Sequence, residues 1–379
     1  MLETTAVQVT DINNAGQVVG WSSSGIDPRA FLYRPGLPLV EIGLASERRL
    51  GTQSQATAIN GLGQVVGWAT LPGSSVRHAF VSNGNFAGTQ LPSVDGLPSE
   101  AVDINDRGQI AIRSLVDFSS CCGAVYDGGT LTPLVGSPVA INQSGQVLHN
   151  FVAGTSRPPT VHIHPDGVTI AAGFGSYGTD LNDAGQAVGV NVANAEQGQP
   201  QRAFLYTGGR TLDLGTLGGG FSEAVDVNNA GQVVGNANTA DQSRHAFVYA
   251  DGVMKDLGTL GGRQSFATAI NEHGQIVGFL EVKLGSAERH AFFYSDGKMV
   301  DLTDWLELSF NDVAGLNSGS IVMNDLGQIA LDTLLFDGTR RVFVLTPIPE
   351  PSTYALMLAG LCMLAWIARR QHGQRIKAA

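Results

Sequence analysis

The chain of 379 residues carries 49 glycines, 15% charged and 43% apolar residues. Enough apolar residues are present to bury a core and the glycines keep no three-residue period, which excludes a disordered chain and a collagen. The net charge of −11 disfavours a nucleic-acid partner, and three cysteines, two of them adjacent (Cys121, Cys122), give neither a disulfide framework nor a zinc spacing.

From Ile12 the phrase INNAGQVVG begins a series of eight copies, the others starting at Ile59, Ile104, Ile141, Leu181, Val227, Ile270 and Met323. Each places an Asn three residues before a Gly: Asn13 and Gly16, Asn60 and Gly63, Asn105 and Gly108, Asn142 and Gly145, Asn182 and Gly185, Asn228 and Gly231, Asn271 and Gly274, Asn324 and Gly327. This is a turn signature: Asn bonds its own backbone, and Gly accepts the left-handed conformation. The copies recur roughly every 44 residues, a repeat architecture.

The sixth copy shows the strand plan. Glu223 to Asn228 alternates as a first strand, Gln232 to Asn238 reads as a second and Arg244 to Ala250 as a third. The Asp251-Gly252 hairpin then leads into a fourth from Val253 to Leu260. Four short strands in about 44 residues match one blade of a propeller. The expected fold class is all-β, a β-propeller of about eight four-stranded repeats over residues 1–346, with seven as the alternative. Arg29-Ala30-Phe31, His78-Ala79-Phe80, Arg202-Ala203-Phe204, His245-Ala246-Phe247 and His290-Ala291-Phe292 mark third strands. Their Phe is expected to be buried, and their His to bond a neighbouring strand.

The eighth unit ends at its third strand, Arg341 to Leu345, without a fourth. Met1 to Thr5 has neither a cationic start nor an apolar run. Both gaps lead to the expectation that a strand and an export signal lie upstream, a three-stranded last blade being the alternative. Residues 347–353 are a Pro-rich linker. Ser352 to Ala368 is a charge-free run of 17 residues, about 25 Å as a helix, with a membrane span expected over 354–368. The basic tail 369–379 begins with Arg369 and Arg370, which would stop transfer and keep the tail cytoplasmic, the repeats lying outside.

Pro349-Glu350-Pro351, the apolar run and the terminal arginines resemble the PEP-CTERM sorting signal of Gram-negative bacteria, a tail also catalogued as the ice-binding protein C-terminal domain. The resemblance implies an exosortase-type partner that recognises Pro349, Glu350 and Pro351, with Arg369 and Arg370 as the stop. It also implies an inner-membrane anchor first and the cell surface or medium after processing, alongside exopolysaccharide. Residues 6–345 resemble the HAF family of extracellular repeats, through His78, His245 and His290 with their Ala-Phe; no activity comes with that family.

Chemical motifs are sparse. Gly173 to Gly178 fits GxGxxG but runs into another repeat rather than a helix. Asp11, Asp103, Asp180 and Asp226 precede turns as in a calcium loop, yet too few ligands follow, so they are read as turn-stabilising or as an acidic ring in the channel. His162 and His164 share one strand face, as surface histidines or a metal pair. No GxSxG or HExxH occurs. No catalytic, cofactor or metal residues are assigned. The expected function is a non-enzymatic binding module of the envelope or matrix, its ligand an exopolysaccharide or a surface protein met by loops 113–123 and 190–201. The alternative is a propeller glycosidase or polysaccharide lyase with carboxylates in the channel.

Overall fold

Eight times the N-x-x-G phrase folds the chain back on itself. In the sixth copy the Gly231 N–H donates to the Asn228 carbonyl at 2.9 Å, and the Asn228 N–H donates to the Gln232 carbonyl at 3.1 Å. Gly231 sits at φ +75°, where a side chain is strained. The flanking residues pair as antiparallel strands, Val227 opposite Val233.

The computed structural model describes residues 6–347 apart from 24, 26, 47–48, 51–52, 116–121, 152–159, 166–167, 171–175, 193–200, 282–288, 305, 307–312, 316–319 and 336–337. The protein is all-β and propeller-like. Lettering strands A to D within each unit, unit 6 comprises Gly218–Val227, Val233–Thr239, Arg244–Ala250 and Val253–Asp256. The A strands of the others are Ala6–Ile12, Ser54–Ile59, Ser99–Ile104, Ser137–Ile141, Tyr177–Leu181, Gln264–Ile270 and Ile321–Met323. Successive A strands are neighbours, and so are the first and the last.

Three details depart from the sequence expectation. Strand D of unit 6 stops at Asp256, not Leu260, because Gly258 at φ +83° turns the chain out of the sheet. Units 1 and 2 share one sheet, because strand Val40–Ser46 runs parallel to Ala87–Gln90 with Gly43 opposite Ala87 and Leu44 opposite Gly88. In unit 8, Val313–Gly315 and Ile321–Met323 both pair with Ile329–Leu335, which also pairs with Arg340–Leu345. Among the described residues no fourth strand follows there.

The core lies between units. Val188 and Leu205 of unit 5 pack with Ala224, Val233 and Phe247 of unit 6. Val7, Val9 and Phe31 of unit 1 pack with Ala330 of unit 8. Phe31, Phe80, Phe204, Phe247 and Phe292 are among the largest fully buried side chains. Phe247 faces Gly235 across strands B and C. A Cβ on Gly235 would lie 2.0 Å from the Glu223 carbonyl oxygen and 2.9 Å from the Phe247 ring, so the residue admits only a hydrogen.

The described residues up to Val344 belong to one compact body. Among the described residues no helix is long and apolar enough to cross a membrane. Pro349, Glu350, Pro351, the expected span 354–368, Arg369 and Arg370 lie outside the described residues.

Candidate functional site

The repeat asparagines meet at the centre of the body. Each side-chain amide donates one N–H to the Gln four residues on and the other to the backbone carbonyl of the next unit's Asn. The inter-unit bonds run from Asn13 to Asn60 (3.0 Å), Asn60 to Asn105 (3.0 Å), Asn105 to Asn142 (3.0 Å) and Asn142 to Asn182 (3.0 Å). They continue from Asn182 to Asn228 (2.8 Å), Asn228 to Asn271 (3.1 Å) and Asn271 to Asn324 (3.2 Å). Asn324 then donates to the Asn13 carbonyl at 2.8 Å, which closes the ring over 311 residues of chain. Asn228 Oδ1 accepts the Gln232 N–H at 3.0 Å, so the buried amide uses its acceptor and both donors. The turn glycine has a second reason here: a Cβ on Gly63 would meet Oε1 of Gln17, from the preceding unit, at 2.8 Å.

The carboxylates two residues before the asparagines also bridge units. Asp11 accepts the N–H of Ile12 at 2.7 Å and that of Ile59 in unit 2 at 2.8 Å. Asp103 accepts from Ile104 and from Ile141 of unit 4, both at 2.8 Å. Asp226 accepts from Val227 and from Ile270 of unit 7, both at 2.8 Å, and Asp180 accepts from Val227 of unit 6 at 3.1 Å. Asp11, Asp103 and Asp226 thus each hold the N–H that follows them and one of the next unit, and Asp180 holds one of the next unit. Burial pushes the Asp11 carboxyl up to about 6 against two N–H donors. It pushes Asp103 up to about 7, with the charges of Asp11 and Asp180 adding to the rise. Asp226 is raised well above the carboxylate range by burial and by the charge of Asp180, to which it is hydrogen-bonded.

A further girdle, which sequence reasoning missed, lies one residue past each Asn. The N–H of Gly61 donates to Asp106 (2.6 Å), Asp106 to Gln143 (3.0 Å), Gln143 to Asp183 (2.8 Å) and Asp183 to Asn229 (2.8 Å). Asn229 donates to Glu272 (3.2 Å), Glu272 to Asp325 (3.2 Å) and Asp325 to Asn14 (3.0 Å). It breaks at Gly61, which has no side chain to accept. Polar residues at one fixed offset in seven copies were the available signal. A cavity of about 260 Å³ opens here, lined among others by Asn13, Asn60, Asn324, Asp106 and Asp325. The serine six residues before Asn was missed too: Ser54, Ser99, Ser222 and Ser265 each accept the N–H of the Ala before the buried Phe of the preceding unit (2.9–3.1 Å).

The histidines of the third strands bond strand D of their own unit: His78 to Gln90 (3.2 Å), His245 to Asp256 (2.9 Å) and His290 to Asp301 (2.7 Å). His162 is stacked on His149, its cross-strand partner, with ring centroids 5.3 Å apart. Burial, then the nearby His162 and His164, lowers His149 to about 4. Tyr177–Leu181, where the GxGxxG run ends, is a strand and not the helix a dinucleotide loop must open. Of the two expected binding loops, residues 116–121 and 193–200 lie outside the described residues. A second cavity, about 470 Å³, lies at the seam of units 8 and 1 between Phe31, Tyr33, Leu39, Arg341, Val342 and Val344.

Comparison with known proteins bears on the tail and the fold separately. Residues 347–371 match the PEP-CTERM protein-sorting motif. The motif implies export, recognition by an exosortase and attachment to the membrane. No curated protein matches the chain. Among solved structures, an acylaminoacyl peptidase in complex with a chloromethyl ketone is 11% identical at a TM-score of 0.50, over 87% of this chain and 58% of that one. A prolyl endopeptidase is 9% identical at a TM-score of 0.51, over 79% of this chain and 50% of that one. The chain thus spans between half and three-fifths of these structures, and at such identity the likeness is one of fold alone.

Proposed function

We propose that this protein is an exported eight-bladed β-propeller of HAF repeats, a non-enzymatic binding module of the envelope or extracellular matrix. Its domains are the propeller (1–346), the Pro-rich linker (347–353), a membrane helix (354–368) and a basic cytoplasmic tail (369–379). Exosortase releases it toward the surface after recognising Pro349, Glu350 and Pro351. The observation that carries the binding reading is the occupation of the carboxylates that precede the turns. Asp11, Asp103 and Asp226 each use both oxygens on backbone N–H groups, which suits a rigid frame better than acid–base chemistry. Function then belongs to the surface that the frame presents, with an exopolysaccharide or a surface protein as ligand.

The test is made in a host that possesses an exosortase. With the enzyme present the protein is expected at the surface or in the medium with a shortened C-terminus, and it co-sediments with the host's exopolysaccharide. With the exosortase gene deleted, or with Glu350→Ala, it stays in the inner membrane at full length. Unchanged processing in the deletion strain overturns the sorting reading.

A propeller glycosidase or lyase is the second reading, favoured by the hydrogen bond between Asp180 and the raised Asp226. Replacing Asp103, Asp180 and Asp226 together separates the two. Loss of turnover on a polysaccharide panel by a protein that still folds would establish the enzyme.

A further inference from the structure

Unit 7 departs from unit 6 at its third-strand histidine. In unit 6 the His245 ring meets a single carboxylate, that of Asp256. In unit 7 the equivalent His290 Nδ1 lies 2.7 Å from Asp301 Oδ2 and 3.4 Å from Oδ1 of a second acid, Asp304. The three ligand atoms all fall within 4.8 Å of one another. We propose that His290, Asp301 and Asp304 form a binding site for a divalent transition-metal ion of the Zn²⁺ or Mn²⁺ type.

Three observations carry this beyond an ordinary ion pair. The first is spacing: with metal–ligand bonds of about 2.0–2.2 Å, ligand atoms on neighbouring corners of a tetrahedron or octahedron stand about 2.8–3.6 Å apart. The two separations from His290 Nδ1, 2.7 and 3.4 Å, are close to that, and the third pair, Asp301 with Asp304, lies within 4.8 Å. The second is orientation. Asp301 Oδ1 accepts the N–H groups of Thr303 (2.8 Å) and Asp304 (3.1 Å), which turns Oδ2 toward the imidazole and holds the chain so that Asp304 returns over it. The third is placement. The His290 side chain is only 7% exposed, against 19% for His245, whereas that of Asp304 is 63% exposed. One side of the site is therefore fixed in the sheet, and the other opens to water for the remaining coordination positions. One imidazole nitrogen with two carboxylates and no thiolate suits Zn²⁺ or Mn²⁺; Ca²⁺ and Mg²⁺ take all-oxygen shells. Bound there, the ion ties strand Arg289–Ser295 to the segment that follows Lys298–Asp301.

Untagged full-length protein is stripped with a chelator and titrated with MnCl₂ and ZnCl₂, with calorimetry and the thermal midpoint as readouts. One equivalent is expected to bind and to raise the midpoint. Asp304→Asn, an exposed change that leaves the Asp301–His290 bond in place, is expected to weaken binding by about 10–100-fold. Asp256→Asn, in unit 6, is expected to leave it unchanged. No binding by the unsubstituted protein, or binding that Asp304→Asn does not weaken, overturns the proposal.

Discussion

At the scale of single residues, the repeat phrase joins local and distant demands at the same atoms. Asn228 sets its own turn through Oδ1 and reaches the next unit through Nδ2. Asn228→Ala leaves the Gln232 N–H and the Asn271 carbonyl without those partners and is expected to cost about 3 kcal/mol in urea unfolding. Two glycines of unit 6, one in strand B and one in strand A, offer a sharper comparison. Gly235→Ala drives a Cβ into the Glu223 carbonyl and the Phe247 ring and is expected to cost about 3 kcal/mol or more. Gly220→Ala, with nothing within 4 Å of the new atom, is expected to change stability by less than about 0.5 kcal/mol. Equal losses for the two would refute the close-packing account.

At the scale of elements, the bridging carboxylates make inter-unit contact depend on pH. Folding raises Asp103 to about 7 from 3.8, so between those values the folded protein binds more protons than the unfolded chain. Stability from this group is full below about pH 4 and is lost as pH rises to 7, about 4 kcal/mol in all. Asp11 acts in the same direction up to about 6. His149 acts oppositely: folding lowers it to about 4 from 6.5, so its contribution is present above pH 6.5 and lost on acidification. Below pH 6.5 His149 offsets only part of the carboxyl effect, because Asp11, Asp103 and the likewise raised Asp226 oppose a single imidazole. Above it the His149 contribution is complete and the midpoint is expected to fall toward pH 7.5 in a thermal scan. Asp103→Asn should flatten that fall, and a slope that survives the change would assign it elsewhere.

The elements also show how far the sequence could be read. The strand order, the turns and the buried Phe were legible because each depends on neighbours within a few residues. The partner of an Asn side chain was not legible, because it lies 37 to 53 residues away in the chain, and 311 away at the closing pair. Ser222 beneath the Ala203 N–H, 19 residues earlier, and Asp304 joining the His290–Asp301 pair within unit 7 were not legible either. Period and offset reveal that a position matters; they do not reveal which atom it serves.

At the scale of the whole molecule, the body closes through the Asn324–Asn13 bond and the apolar contacts of Ala330 with unit 1. The seam is nonetheless unlike the others. Strand Arg340–Leu345 is half-buried throughout, whereas Ala246 and Phe247 of unit 6 are fully buried. Arg244–Ala250 is paired on both edges; among the described residues, Arg340–Leu345 is paired on one. Amides of Arg340–Leu345 are therefore expected to exchange with deuterium well before those of Arg244–Ala250, as followed by mass spectrometry. Equal protection would mean that this edge is covered.

The sequence by itself determined a strand-forming repeat, its turns and the address carried by residues 347–371, because hydrophobic alternation, Asn–Gly turns and a terminal motif are local properties of the chain. Only the tertiary structure decided that the eight copies close on one another, that the acids before the turns hold the next unit's backbone, and that Asp304 joins His290. The first two outcomes depend on how sheets pack across tens of residues, where the direction of a hydrogen bond and the space beside a glycine are set by a neighbouring unit; the third depends on how the chain after Asp301 folds back within unit 7.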